Sequence, residues 1–178
     1  MPMKPKLKCV VWDANIVIDA IQKDKDHYEN IAPFLKEAET GRLLIVLSEI
    51  TVSEITTLND LGAQGVPVED QARLIRDWLE NPYIVRRNFD RGMTELAVKI
   101  GRLHGIKRAG DKAVLATAVF FEIPVVHTYD GKLLSLDGIL PSGNASLRIV
   151  VPDYYKDTLF DNVEEGASQP ESEARPEA

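Results

Sequence analysis

Residues 8–21 read KCVVWDANIVIDAI. The apolar run Lys8–Trp12 stops at Asp13-Ala14-Asn15, and a second apolar stretch, Ile16–Ile21, follows it. A short continuous apolar run fits a strand buried on both faces, and an acid at its end fits the start of a helix. The same unit recurs along the chain. Leu43–Leu47 (LLIVL) is a second strand, Tyr83–Arg87 a third, Ile123–Thr128 a fourth and Leu147–Val151 (LRIVV) a fifth. Helices are predicted between them. Residues 28–40 carry Ile31, Phe34, Leu35 and Ala38 at helical spacing, with Gly41 as a stop. Residues 51–61, 68–80, 90–104 and 111–121 are also helical, with Gly62–Pro67 and Gly105–Gly110 as loops. Strands alternating with helices predict an α/β protein. Its form is a three-layer α/β/α sandwich around a central, mainly parallel sheet of four or five strands.

The chain has 178 residues, enough for one domain with its own core. The reading places that domain at 8–155, after an N-terminal extension of residues 1–7. Residues 156–178 form an acidic tail with few large apolar residues, which reads as disordered. The single cysteine, Cys9, excludes an intrachain disulfide framework and a cysteine-based zinc site. No stretch reads as a signal peptide or a membrane span, so a cytoplasmic protein without membrane contact is expected. The net charge of −7 argues against a module that gathers nucleic acid by charge alone. A nuclease built on carboxylates is compatible with it, because such a site is acidic until its cations bind.

In parallel sheets, chemistry gathers where the strands end. Four acids stand at such places. Asp13 ends the first strand, Glu54 lies in the first turn of the helix after the second, Asp111 opens a helix, and Asp130 follows the fourth strand. Each has an ordinary explanation. Asp13 caps a helix, Thr51-x-x-Glu54 matches a capping box, Gly110-Asp111 begins a helix, and Asp130-Gly131 signals a turn. Together they suggest more, since a parallel sheet brings such ends to one edge. Carboxylates packed together repel one another unless a cation neutralises them. Oxygen ligands without cysteine or a histidine pair suit Mg²⁺ or Mn²⁺ rather than Zn²⁺.

These segments resemble the PIN domain family. Val10-Val11-Trp12-Asp13-Ala14-Asn15 is similar to its opening motif, a hydrophobic strand leading into Asp-x-Asn. Ser48 followed by Glu54 resembles the second motif. Asp111–Ala118 (DKAVLATA) resembles the third, and Val125–Asp130 (VVHTYD), with Thr-x-Asp after a strand, the fourth. The resemblance covers residues 8–151 and implies a PIN-like fold and a metal-dependent endoribonuclease, as a VapC-type toxin or an RNA-processing factor. It implies that Asp13, Asp111 and Asp130 hold the principal Mg²⁺ or Mn²⁺ ion and that Glu54 completes the site. It further implies that Asn15 and Thr128 support the ligands or contact phosphate. RNA substrate, a homodimer and a separately encoded antitoxin follow from it as partners. Ala14 stands where the family often has Thr or Ser, and Gly131-Lys132-Leu133 lacks a further acid.

Lys107, Arg108 and Lys112 flank Asp111 and are candidates for RNA phosphate contacts. Arg86, Arg87 and Arg91 read as solvated surface. Glu49 competes with Glu54, but the two stand about 140° apart on one helix, at about 100° per residue. Glu54 is preferred on the family spacing. His27, His104 and His127 share no metal or triad spacing and are assigned to loops or core, as are Trp12 and Trp78 to the core. Base stacking is considered for Tyr129 alone and disfavoured. Two other functions compete: a non-catalytic PIN-like scaffold binding RNA or protein, and a Mg²⁺-dependent phosphatase or phosphotransfer protein. The second lacks the Asp-x-Asp or paired acids it would need near Asp13.

Overall fold

The computed structural model describes residues 7–154 and 156. The expected extension and acidic tail therefore lie outside the described residues, apart from Leu7 and Lys156. The elements run β1 (Lys8–Trp12), α1 (Ala14–Gln22), α2 (Tyr28–Glu39), β2 (Leu43–Ser48), α3 (Glu49–Glu54), α4 (Asn59–Ala63) and α5 (Val68–Leu79). There follow β3 (Ile84–Arg87), α6 (Arg91–His104), α7 (Ala109–Phe120), β4 (Val125–His127), α8 (Gly131–Leu134), β5 (Pro141–Ser142), β6 (Ala145–Ser146) and β7 (Arg148–Val150).

Five strands form one sheet in the order β3-β2-β1-β4-β7, and each neighbouring pair is parallel. The predicted α/β/α architecture with a parallel five-stranded sheet is what the chain adopts. The chain builds outward from β1 through β2 to β3, then crosses to the other side of β1 for β4 and β7. The strand order thus reverses between β1 and β4, and that crevice is where ligands of open parallel sheets are held. Register places Trp12 opposite His127, and His127 opposite Val150.

Side chains alternate across the sheet and feed two cores. Val10, Trp12, Leu43, Ile45 and Leu47 face one core, with Ile16, Val17, Ile31 and Phe34 of α1 and α2. Val11, Val46, Val126 and Ile149 face the other, with Ala97 and Ile100 of α6 and Val114, Leu115 and Ala118 of α7. Helix α7 is buried from Gly110 to Ala118 except at Lys112, so it is a central packing element rather than a surface helix. Among the described residues, no helix is long and apolar enough to cross a membrane.

Several predicted elements change. The single helix expected over 51–61 is two, α3 and α4, separated by residues 55–58. Ser48, not Thr51, is the N-cap: its hydroxyl accepts from the Thr51 N–H at 3.0 Å, so the helix begins directly after β2. Glu54 consequently sits at the last position of α3 rather than in a first turn. The loop expected from Gly62 begins later, because α4 runs to Ala63. Between the fourth and fifth expected strands, the stretch 138–146 contains the antiparallel hairpin β5–β6. Asp130-Gly131 is more than a turn, since it opens α8.

Candidate metal and nucleic-acid site

Asp13 is 6% exposed at the carboxyl end of β1. It caps α1: its Oδ1 accepts from the Ala14 N–H at 2.7 Å, and its Oδ2 accepts from the Thr128 hydroxyl at 2.7 Å. Its own N–H donates to the His127 carbonyl at 3.1 Å, extending the β1–β4 ladder by one bond. Thr128, fully buried, also accepts from the Asp130 N–H at 3.0 Å. Asp130 caps α8 by accepting from the N–H groups of Lys132 and Leu133 at 2.8 and 3.1 Å. Asp13 and Asp130 therefore cap helices as expected, and Thr128 links the two through its hydroxyl.

Asp111, 7% exposed, lies in the first turn of α7. Glu54 approaches this turn from α3, and the Gly110 N–H donates to its carboxylate. A Cβ at position 110 would overlap both oxygens and Cδ of Glu54, so only glycine permits this approach.

Asp13, Glu54 and Asp111 are each affected by neighbouring acids. Burial raises the Asp13 pKa, the Thr128 and Ala14 hydrogen bonds and Arg108 oppose it, and Asp130 adds to the rise. Burial also raises Asp111, with Asp130 and Asp13 adding to the rise and Arg108 and Lys132 opposing it. Glu54 is raised by burial and by Asp13 and Asp111, against Arg108 and the Gly110 N–H. Arg108, just ahead of α7, is thus the cation common to three of the acids. Of the other predicted phosphate contacts, Lys107 is exposed, and the stem of Lys112 lies across Gly101 of α6. Among the described residues, the three acid or histidine groups with ligand atoms within 4.8 Å of one another are Asp19, Asp24 and His27, not three of these four. That trio closes the α1–α2 loop: His27 Nδ1 lies 2.7 Å from Asp19, and Asp24 accepts from the N–H groups of Asp26 and His27.

Asn15 opens the second position of α1, and its Oδ1 is buried with no hydrogen-bond partner. A buried amide oxygen without a donor is costly, and it suits a site that receives a cation or a bound donor. The donor set is entirely oxygen, and three of the acids have raised pKa values. By both measures the residues fit a hard divalent cation.

Sequence reasoning missed Gly110 and Lys132. Lys132 Nζ donates to the Gly105 carbonyl, and its charge favours the ionised form of Asp111. The cue for Gly110 was its place directly before Asp111, but the approach of Glu54 is a long-range fact. Glu49, the competitor of Glu54, pairs instead with Arg86 at 2.8 Å. Tyr129 stacks on His27, with ring centroids 4.2 Å apart, and its ring is not free to take a base on that face.

The PIN domain family profile matches residues 10–139. No curated protein matches the chain by sequence. Among solved structures, the chain is similar to one from the VapBC2 complex of Rickettsia felis bound to a DNA fragment from its promoter. The identity is 18%, the TM-score 0.53, and the match covers 79% of this chain and 98% of that one. FitAcB from Neisseria gonorrhoeae matches at 22% identity and a TM-score of 0.45, over 68% of this chain and 87% of that one. PIN domains are generally nucleases. With the profile spanning most of the described residues, the chain belongs to the PIN domain family.

Proposed function

We propose that the protein is a metal-dependent endoribonuclease of the VapC type, acting through Asp13, Glu54, Asp111 and Asp130. The observation that carries this reading is geometric: Thr128 bonds both Asp13 and the Asp130 N–H at the β1–β4 crevice, and the Glu54 carboxylate lies against Gly110 beside Asp111. Asp13, Asp111 and Asp130 would hold Mg²⁺ or Mn²⁺, with Glu54 completing the set. Such an ion supplies a nucleophilic water at neutral pH and stabilises the leaving oxygen of a phosphodiester.

The chain's own groups do the rest. Thr128 and the Ala14 N–H fix the Asp13 carboxylate, and Gly110 admits and holds that of Glu54. Arg108 offsets Asp13, Glu54 and Asp111 and would bind an RNA phosphate. Asn15, whose buried amide oxygen has no hydrogen-bond partner, would support the ligands or contact phosphate. The partners are single-stranded or structured RNA, a second copy of the chain, and a separately encoded antitoxin. The likeness to a chain of the VapBC2 complex supports the last of these.

The test incubates the purified protein with a mixed RNA set, with Mn²⁺ or with EDTA, alongside Asp111→Asn. Cutting is expected with Mn²⁺ alone and should fall at least ~100-fold in the variant, as for loss of a transition-state stabiliser. Mn²⁺-independent cutting, or full activity in Asp111→Asn, would remove the acids from the mechanism. The absence of both cutting and metal binding would favour the scaffold. Light scattering that returns a monomer would refute the dimer.

A further inference from the structure

Directly beneath the Asp13–Thr128 pair lies a second pair that the nuclease reading does not use. The Trp12 indole N–H donates to His127 Nδ1 at 3.0 Å. Both residues are fully buried, and they are register partners, the last residues of β1 and β4. An indole N–H can only donate, so Nδ1 is the acceptor and the ring proton sits on Nε2. Phe34 packs edge-on against the imidazole, with centroids 4.6 Å apart, and Trp78 stacks on the indole at 6.4 Å. The next residue along each strand is Asp13 or Thr128, which are themselves hydrogen-bonded at 2.7 Å.

Apolar side chains of the same volume would fill this space and hold the layers together equally well. A hydrogen bond inside an apolar core adds direction, since a donor left unpaired there is penalised. The backbone ladder between these strands ends with the bond from the Asp13 N–H to the His127 carbonyl. Two side-chain bonds cross-link the two strand ends, one on each side of that ladder end.

We infer that the Trp12–His127 hydrogen bond is a positioning device: it fixes the relative placement of the two strand ends so that Thr128 meets Asp13. His127 and Trp12 touch no substrate in this scheme and act through Asp13 and Thr128. The inference rests on the proposed function only for its activity readout.

The test uses three full-length variants, read well below their melting temperatures. Trp12→Phe keeps a ring and removes the donor. His127→Leu removes the acceptor. His127→Asn returns an amide oxygen near the place of Nδ1. The first readout needs no metal and no RNA: the exchange rate of the Thr128 hydroxyl proton by NMR. It is expected to be slow in the wild type and in His127→Asn, and at least tenfold faster in Trp12→Phe and His127→Leu. The second readout is Mn²⁺ affinity and, on RNA, kcat against KM. Mn²⁺ affinity and kcat are expected to fall roughly tenfold in the two disrupting variants, with KM little changed and His127→Asn close to wild type. The indole N–H of the wild type supplies a control without any substitution, and its rapid exchange with solvent would overturn the inference. So would unchanged Thr128 exchange in Trp12→Phe, or a His127→Asn variant as impaired as His127→Leu. A wild type that neither binds Mn²⁺ nor cuts RNA would sink the nuclease reading, while the Thr128 readout would still decide this one.

Discussion

Gly110 holds its place because the carboxylate of Glu54 occupies the space a side chain would need. It sits in the first turn of α7, where alanine is otherwise welcome and favours the helix. Gly110→Ala should therefore fold, yet push Glu54 out of the crevice. The expected result is a Mn²⁺ affinity and a cleavage rate lowered about 10–100-fold, the range for losing a group that orients a ligand. Isothermal titration with Mn²⁺ checks this, and a variant that binds as the wild type does would show that Glu54 is dispensable. Asp111 makes a second prediction, about pH. Its ordinary pKa of 3.8 is raised by burial and by Asp130 and Asp13, although Arg108 and Lys132 pull it down. The folded protein thus binds that proton more tightly than the unfolded chain. Its contribution to stability is full below the unfolded value and is lost as pH rises through the raised one. In chelator, Asp111→Asn should melt above the wild type at pH 7, and the gap should close as pH falls through the carboxylate range. Thermal scans at several pH values decide it, and a wild type that melts as high as the variant at pH 7 would refute it.

At the scale of elements, one side chain ties together two points of the segment between Glu54 and α5, whose Ile55 and Leu58 are buried in the core. Gln71 is buried, accepts from the Leu58 N–H at 2.9 Å and donates to the Val66 carbonyl at 2.8 Å. Gln71→Leu would fill the space but leave both backbone groups unpaired, at a cost of about 1–3 kcal/mol for each group that water cannot reach. Urea unfolding is expected to show a loss in that range, and a loss below roughly 0.5 kcal/mol, the level of an ordinary surface change, would mean the segment is held otherwise. This segment also marks where sequence reading ended. The sheet strands were legible because each is a short apolar run closed by a polar residue, and the parallel sheet followed from their alternation with helices. Asp13 and Asp130 drew notice because they follow such runs, and Glu54 and Asp111 because they stand near expected helix starts. The break between α3 and α4 was not, since Gln71 reaches Leu58 from thirteen residues away and nothing local announces it. Nor was the start of α3, because Thr51-x-x-Glu54 matches the same capping pattern that Ser48 satisfies one turn earlier. The β5–β6 hairpin has two residues per strand, too few to show any alternation. The pairing of Trp12 with His127 spans 115 residues, and composition alone made both of them simply core.

On the scale of the whole molecule, the net charge of −7 looks wrong for the proposed action on RNA until its distribution is considered. Residues 157–178 hold seven acids and one arginine, so the other 156 residues carry a net charge of −1. The exit of the chain matters as much as the sum. Strand β7 runs parallel to β4, and the Val150 carbonyl accepts from the Thr128 N–H at 3.1 Å. The chain leaves β7 one strand from Asp130 and two from Asp13, and Tyr154 then donates to Glu37, which pairs with Arg42 just before β2. The negative charge of residues 157–178 repels phosphate over a distance of about 10 Å at 0.1 M salt, and that range shortens as salt rises. A full-length variant with the seven acids after Lys156 changed to amides should bind RNA more tightly than the wild type at low salt, by a factor of several. The gain should shrink toward nothing near 1 M salt, where the screening length is about 3 Å. The wild type and variant are compared by RNA titration across a salt series in the presence of Mn²⁺. Equal affinities at low salt would place the tail's charge outside the field of the site. A gain that survives high salt would point to a direct contact of these residues with the protein rather than to repulsion of RNA.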